Sequence, residues 1–139
     1  MRFLASVSVA LAIAASAPFS GTQSGTLSAH HWFNASYESS RTITLTGIVA
    51  RFEWKNPHAL FYIDVADKPG GRVTRWLMEM GSPNGLTRAG WSKSSLRVGE
   101  TVTVEGIPAR DGIAMGYPTA VVTEAGRRLI AAAPVPPRS

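Results

Sequence analysis

The sequence predicts an all-β protein, a small barrel of five strands with one short helix between strands 3 and 4. Three observations predict it. Short runs alternate apolar and polar residues at a period of two, which lays the apolar side chains on one face of a half-buried strand. Thirteen Gly and nine Pro among 139 residues fall mostly between those runs, where turns use them. A single segment, at Ser82, carries a clear helix start signal. With 45% hydrophobic and 17% charged residues, the chain is long enough for one globular domain and too short for two.

The first 29 residues stand apart. Met1-Arg2 precedes the apolar run Phe3 to Ala17, which is shorter than the ~20 residues a bilayer span needs, so it reads as a secretory signal peptide. Pro18 disfavours cleavage after Ala17. The next small-residue site is Leu27-Ser28-Ala29, which predicts a mature chain starting at His30 and a periplasmic location. Residues 30–41 form a polar N-terminal segment.

The barrel domain is expected over residues 42–130. Thr42 to Val49 alternates cleanly and continues to Trp54 as strand 1, and Asn56-Pro57-His58 turns the chain. Leu60–Ala66 is strand 2, with Phe61, Ile63 and Val65 on one face and Tyr62 and Asp64 on the other. Asp67 to Gly71 makes a hairpin turn into strand 3, Val73–Met80. Ser82 caps a helix with Pro83 at its first position, and Gly90 ends it about two turns later. Thr101–Gly106 alternates as strand 4, and Arg110-Asp111-Gly112 turns into strand 5 at Ala120–Thr123, which can resume at Arg128 to Ala131. Residues 131–139, with three Pro, form a flexible tail. This element order is that of an OB-like Greek-key barrel, whose closure removes most edge strands.

Four local patterns carry a resemblance: Ala29-His30-His31-Trp32-Phe33, Phe52-Glu53-Trp54-Lys55-Asn56-Pro57-His58, Trp76 to Asn84, and Gly90-Trp91. In this order and spacing the chain resembles the bacterial exported family known as domain of unknown function 6152. The resemblance implies export and a small β-domain, and brings no catalytic or binding residues with it. Members usually follow the double His with Ser, where this chain has Trp32.

The absence of Cys excludes disulfides, zinc–thiolate sites, iron–sulfur clusters and cysteine nucleophiles, so any metal must use His, carboxylate, Met or backbone ligands. The three His are the informative set. A mature N-terminal His30 offers an α-amine and an imidazole to one metal. His58 or His31 would add a third nitrogen, a donor set suited to copper, the cation that heads the affinity order at nitrogen sites. Such binding weakens as pH falls, because the amine, with a reference pKa of about 7.7–8.0, must release its proton. The bland alternative is that His30 and His31 are solvated and His58 only braces its loop. Met78 and Met80 could offer thioethers, although barrel filling is the commoner use. Glu79 and Asp64 could orient a ligating His, although ion pairs with Arg75 or Arg51 are commoner.

A second reading takes Trp32, Trp54, Tyr62 and Glu79 as a face that captures an envelope protein or small ligand without metal. Core packing accounts better for Trp76 and Trp91. Enzyme signals are weak. Ser82 is placed as a helix cap, nine carboxylates are scattered along the chain, and phosphate-loop, dinucleotide and HExxH patterns are missing. Nucleic acid is not expected as a partner. The net charge of +5 is spread along the chain, with only Arg127-Arg128 adjacent near its end, and the product is exported. The sequence therefore predicts a non-catalytic periplasmic binding domain.

Overall fold

The computed structural model describes residues 35–131. The expected signal peptide, His30, His31, Trp32 and the tail beyond Ala131 lie outside the described residues.

Among the described residues the named elements follow in the order β1 (Ile43–Glu53), β2 (Leu60–Ala66), β3 (Val73–Glu79), α1 (Pro83–Arg88), β4 (Thr101–Pro108), β5 (Met115–Thr123) and β6 (Arg128–Ile130). They form one sheet in the order β3-β2-β1-β4-β5-β6, and a parallel pairing of β3 with β5 closes strands 1 to 5 into a barrel. Long β1 makes closure possible. Its first half, Ile43 to Ile48, pairs with β4, and its second half, Ile48 to Glu53, pairs with β2. A register shift between Val49 and Arg51 bends the strand from one neighbour to the other. The architecture is the OB-like barrel expected from the element order.

Alternation decides the interior. Val49, Phe61, Ile63, Met78, Val102, Val104 and Val121 are fully or almost fully buried in one cluster, to which Met80, Leu86 and Trp91 belong. The two Met side chains thus fill the barrel. Ser82 caps α1 through a bond accepted from the Gly85 amide, with Pro83 opening the helix. Leu86 carries the helix onto the barrel end. Trp91 donates its indole N–H to the Ile130 carbonyl at 2.8 Å, fastening β6 there.

Strand 5 starts five residues earlier than its expected Ala120, and β6 is a separate hairpin strand rather than its resumption. Gly116 and Pro118, residues of low strand propensity, are inside β5. Pro118 is tolerated where the β4–β5 ladder shifts register between Glu105 and Gly106. Gly106 is required at that point because a Cβ would meet the Tyr117 carbonyl oxygen at 2.6 Å.

Candidate functional site

Glu79 ends β3 between Met78 and Met80, both buried in the barrel, so strand alternation turns its carboxylate to the opposite face. A carboxylate that is only 9% exposed is costly unless hydrogen-bonded. Two side chains supply the bonds. The Tyr37 hydroxyl donates to Oε2 at 2.6 Å, and His58 Nδ1 bonds Oε1 at 2.6 Å. Facing a carboxylate oxygen, which accepts, Nδ1 is the donor in this bond, and Nε2 is the ring nitrogen turned away from the acid. The His58 side chain is 40% exposed, so the ring spans from the buried acid to the surface.

Local structure explains both placements. Asn56–Pro57, a cis peptide, leads the chain out of β1. Ala59 then donates to the Gly81 carbonyl at 3.1 Å and accepts from the Met80 amide at 2.9 Å. These bonds tie the start of β2 to the end of β3, which sets His58 beside Glu79. Tyr37 arrives on a strap from the N-terminal side. It bridges Ala109, and on either side Glu38 N–H donates to the Pro108 carbonyl at 2.9 Å and Arg110 N–H to the Ser36 carbonyl at 3.0 Å. The Arg110 guanidinium adds bonds to the Glu38 carboxylate and the Tyr37 carbonyl.

The Tyr37 ring stands edge-on to Tyr117, centroids 5.6 Å apart. Burial, and then the hydrogen bond to Glu79, push the Tyr37 phenol well above its ordinary range. Burial, followed by the Glu79 charge, raises Tyr117. Both therefore stay protonated around the acid at neutral pH. A cavity of about 350 Å³ opens next to Tyr117, lined also by Gly81, Leu86 and Ile130.

Of the residues singled out in sequence, His58 and Glu79 come together. Trp54 is half-buried, edge-on to Phe52 at 5.9 Å and packed against the core cluster. Tyr62 points to the other face of β2 from buried Phe61 and Ile63, opposite Leu77, on the face that also carries Glu79. Asp64 makes the expected ion pair, bidentate with Arg75 at 2.8 Å for each bond. Arg51 pairs with Glu53, and Glu79 takes Tyr37 and His58 as partners instead of an Arg. Among the described residues no three His, Asp or Glu side chains gather as a metal site. Tyr37 went unnoticed in sequence because it is a lone aromatic in a polar segment without periodicity. Tyr117 was hidden between Gly116 and Pro118.

The model of the family of unknown function DUF6152 matches residues 14–118. Among solved structures, a mitochondrial single-stranded DNA-binding protein from S. cerevisiae is similar, at 12% identity and a TM-score of 0.48, over 60% of this chain and 93% of that one. No curated protein matches the chain. Among the described residues no helix is long and apolar enough to cross a membrane.

Proposed function

Because the chain belongs to DUF6152, a family of unknown function, its role has to be read from the site, and we propose that it is a periplasmic, non-catalytic binding domain that coordinates copper through the mature N-terminal His30 together with His58 or His31. The contact between His58 and Glu79 carries the reading. A carboxylate on one ring nitrogen is the arrangement that orients a metal-ligating imidazole and makes its other nitrogen more basic. Here it directs Nε2 to the ligand role in a ring that reaches the surface.

Chain connectivity supports the partner residues. The strap that brings Tyr37 to Glu79 is continuous with the segment bearing His30 and His31. The five steps from Ala35 to His30 span at most about 18 Å of extended chain. An α-amine, its own imidazole and His58 Nε2 make a three-nitrogen set, which favours Cu(II) over the other divalent first-row cations.

The test is a Cu(II) titration of protein beginning at His30, followed by calorimetry and electron paramagnetic resonance, against a variant with one extra Gly before His30 and against His58→Ala. Both changes are expected to weaken binding and alter the nitrogen hyperfine pattern. Equal affinity in all three proteins would overturn the chelate. If instead Trp54→Ala alone abolished retention of an envelope protein or small ligand, the metal-free aromatic module would be the right description.

A further inference from the structure

Glu79 does more than face His58: it joins the imidazole to the N-terminal strap. Its two oxygens are divided between two segments far apart in sequence, Oε2 receiving the Tyr37 hydroxyl and Oε1 receiving His58, each at 2.6 Å. Tyr37 is fully buried and Glu79 nearly so. Withdrawal of the strap would therefore leave a carboxylate with half of its hydrogen bonds gone, and the acid could then turn away from the ring it orients. Conversely, removing the imidazole frees one end of the acid and weakens the grip on Tyr37. The strap is also held by the backbone bridge to Ala109, the two flanking amide bonds, Arg110 and the edge contact of the Tyr37 ring with Tyr117. The Tyr37–Glu79 bond links that docking to His58.

We infer that Tyr37 and Glu79 are positioning residues that couple docking of strap residues 35–38 to the orientation of His58, so that whatever occupies His58 tightens the strap and the docked strap tightens the site. The coupling is reciprocal, as any equilibrium linkage between two sites must be. It rests on the metal reading only in naming a metal as the occupant; the coupling itself is a property of the metal-free protein.

The experiment begins without metal. Amide hydrogen exchange at Glu38 and Arg110, compared with the β4 amide of Val104 as a control for global opening, is measured in the wild type and in His58→Ala. The side-chain ¹⁵N shifts of His58 are measured in the wild type and in Tyr37→Phe, which keeps the ring and removes only the hydroxyl. Exchange at Glu38 and Arg110 is expected to quicken roughly tenfold in His58→Ala, relative to the control, which is the loss expected for one hydrogen bond to a charged group. The wild-type ring is expected in the Nδ1–H tautomer, with Tyr37→Phe moving it toward a mixture. Unchanged strap exchange together with unchanged ring shifts overturns the coupling, whatever copper does. Copper is then added as a second arm. In protein that binds it, Tyr37→Phe is expected to lower affinity about 10- to 100-fold, as loss of a residue behind a ligand does, and unchanged affinity would overturn the coupling to metal. Absence of copper binding in the wild type refutes the metal reading and leaves the exchange and tautomer results to judge the coupling.

Discussion

Removing one oxygen atom, in Tyr37→Phe, is expected to lower folding stability by about 2 kcal/mol. The hydroxyl is buried and donates at 2.6 Å to a carboxylate that is itself only 9% exposed. A bond to a charged group contributes roughly 1.5–3 kcal/mol, and the acceptor loses its partner in a place that water reaches poorly. The Phe ring preserves the volume and the edge contact with Tyr117, so no cavity term is added. Glu79 keeps His58, which holds the loss toward the middle of the range. Urea unfolding followed by Trp fluorescence measures it. With an m-value of about 1–3 kcal/mol/M for a small domain, the midpoint should fall by around 1 M at unchanged slope. The same substitution in a Glu79→Gln background should cost less, because the acceptor is then neutral. A loss below about 0.5 kcal/mol, the scale of an ordinary surface change, would show that the hydroxyl and the carboxylate are not bonded in the folded protein.

Three further outcomes follow from the same structure. Both buried phenols hold their protons more tightly than in the unfolded chain. Above about pH 10 the unfolded ensemble therefore loses protons first, and stability falls by up to about 1.4 kcal/mol per pH unit for each tyrosine, measurable by urea unfolding alongside tyrosinate absorbance. At the acid end, Asp64 is held below its ordinary 3.8 and Glu38, Glu53 and Glu105 below 4.5. The leading cause is a side-chain hydrogen bond, from Arg75 to Asp64, Ser40 to Glu38, Lys55 to Glu53 and Arg128 to Glu105. Their contribution is present above those ordinary values and lost as pH drops through the depressed ones, so thermal midpoints should decline below about pH 4.5, less so in high salt. Gly106→Ala places a methyl 2.6 Å from the Tyr117 carbonyl oxygen and 3.0 Å from the Pro118 Cα, both backbone atoms. A loss of about 1–3 kcal/mol is expected in the same urea assay, and a neutral result would mean that the β4–β5 ladder yields there.

Local chemistry alone determined most of the barrel. The alternations at Ile43 to Val49, Leu60 to Ala66 and Thr101 to Val104, and the Ser82-Pro83 pair, each need only their neighbours in sequence to choose strand or helix, and all occupy the predicted elements. Met78 and Met80 could be assigned to the interior on the same ground. Strand 5 was different: Gly116 and Pro118 are turn residues by propensity, and they are strand because β4 pairs with them, Pro108 with Gly116 and Gly106 with Pro118 beside the register shift. The site depended still more on tertiary structure. His58 and Glu79 were visible as candidates, but the choice of partners for Glu79 came from the pairing of β2 with β3, which sets His58 beside it, and from the strap bridged to Ala109, which brings Tyr37. Tyr37 is 42 positions away from the acid it bonds. Periodicity reports which way a side chain faces and says nothing about which distant segment will cover it; that is decided by the burial of a carboxylate, which takes whatever donors the folded chain can bring within reach.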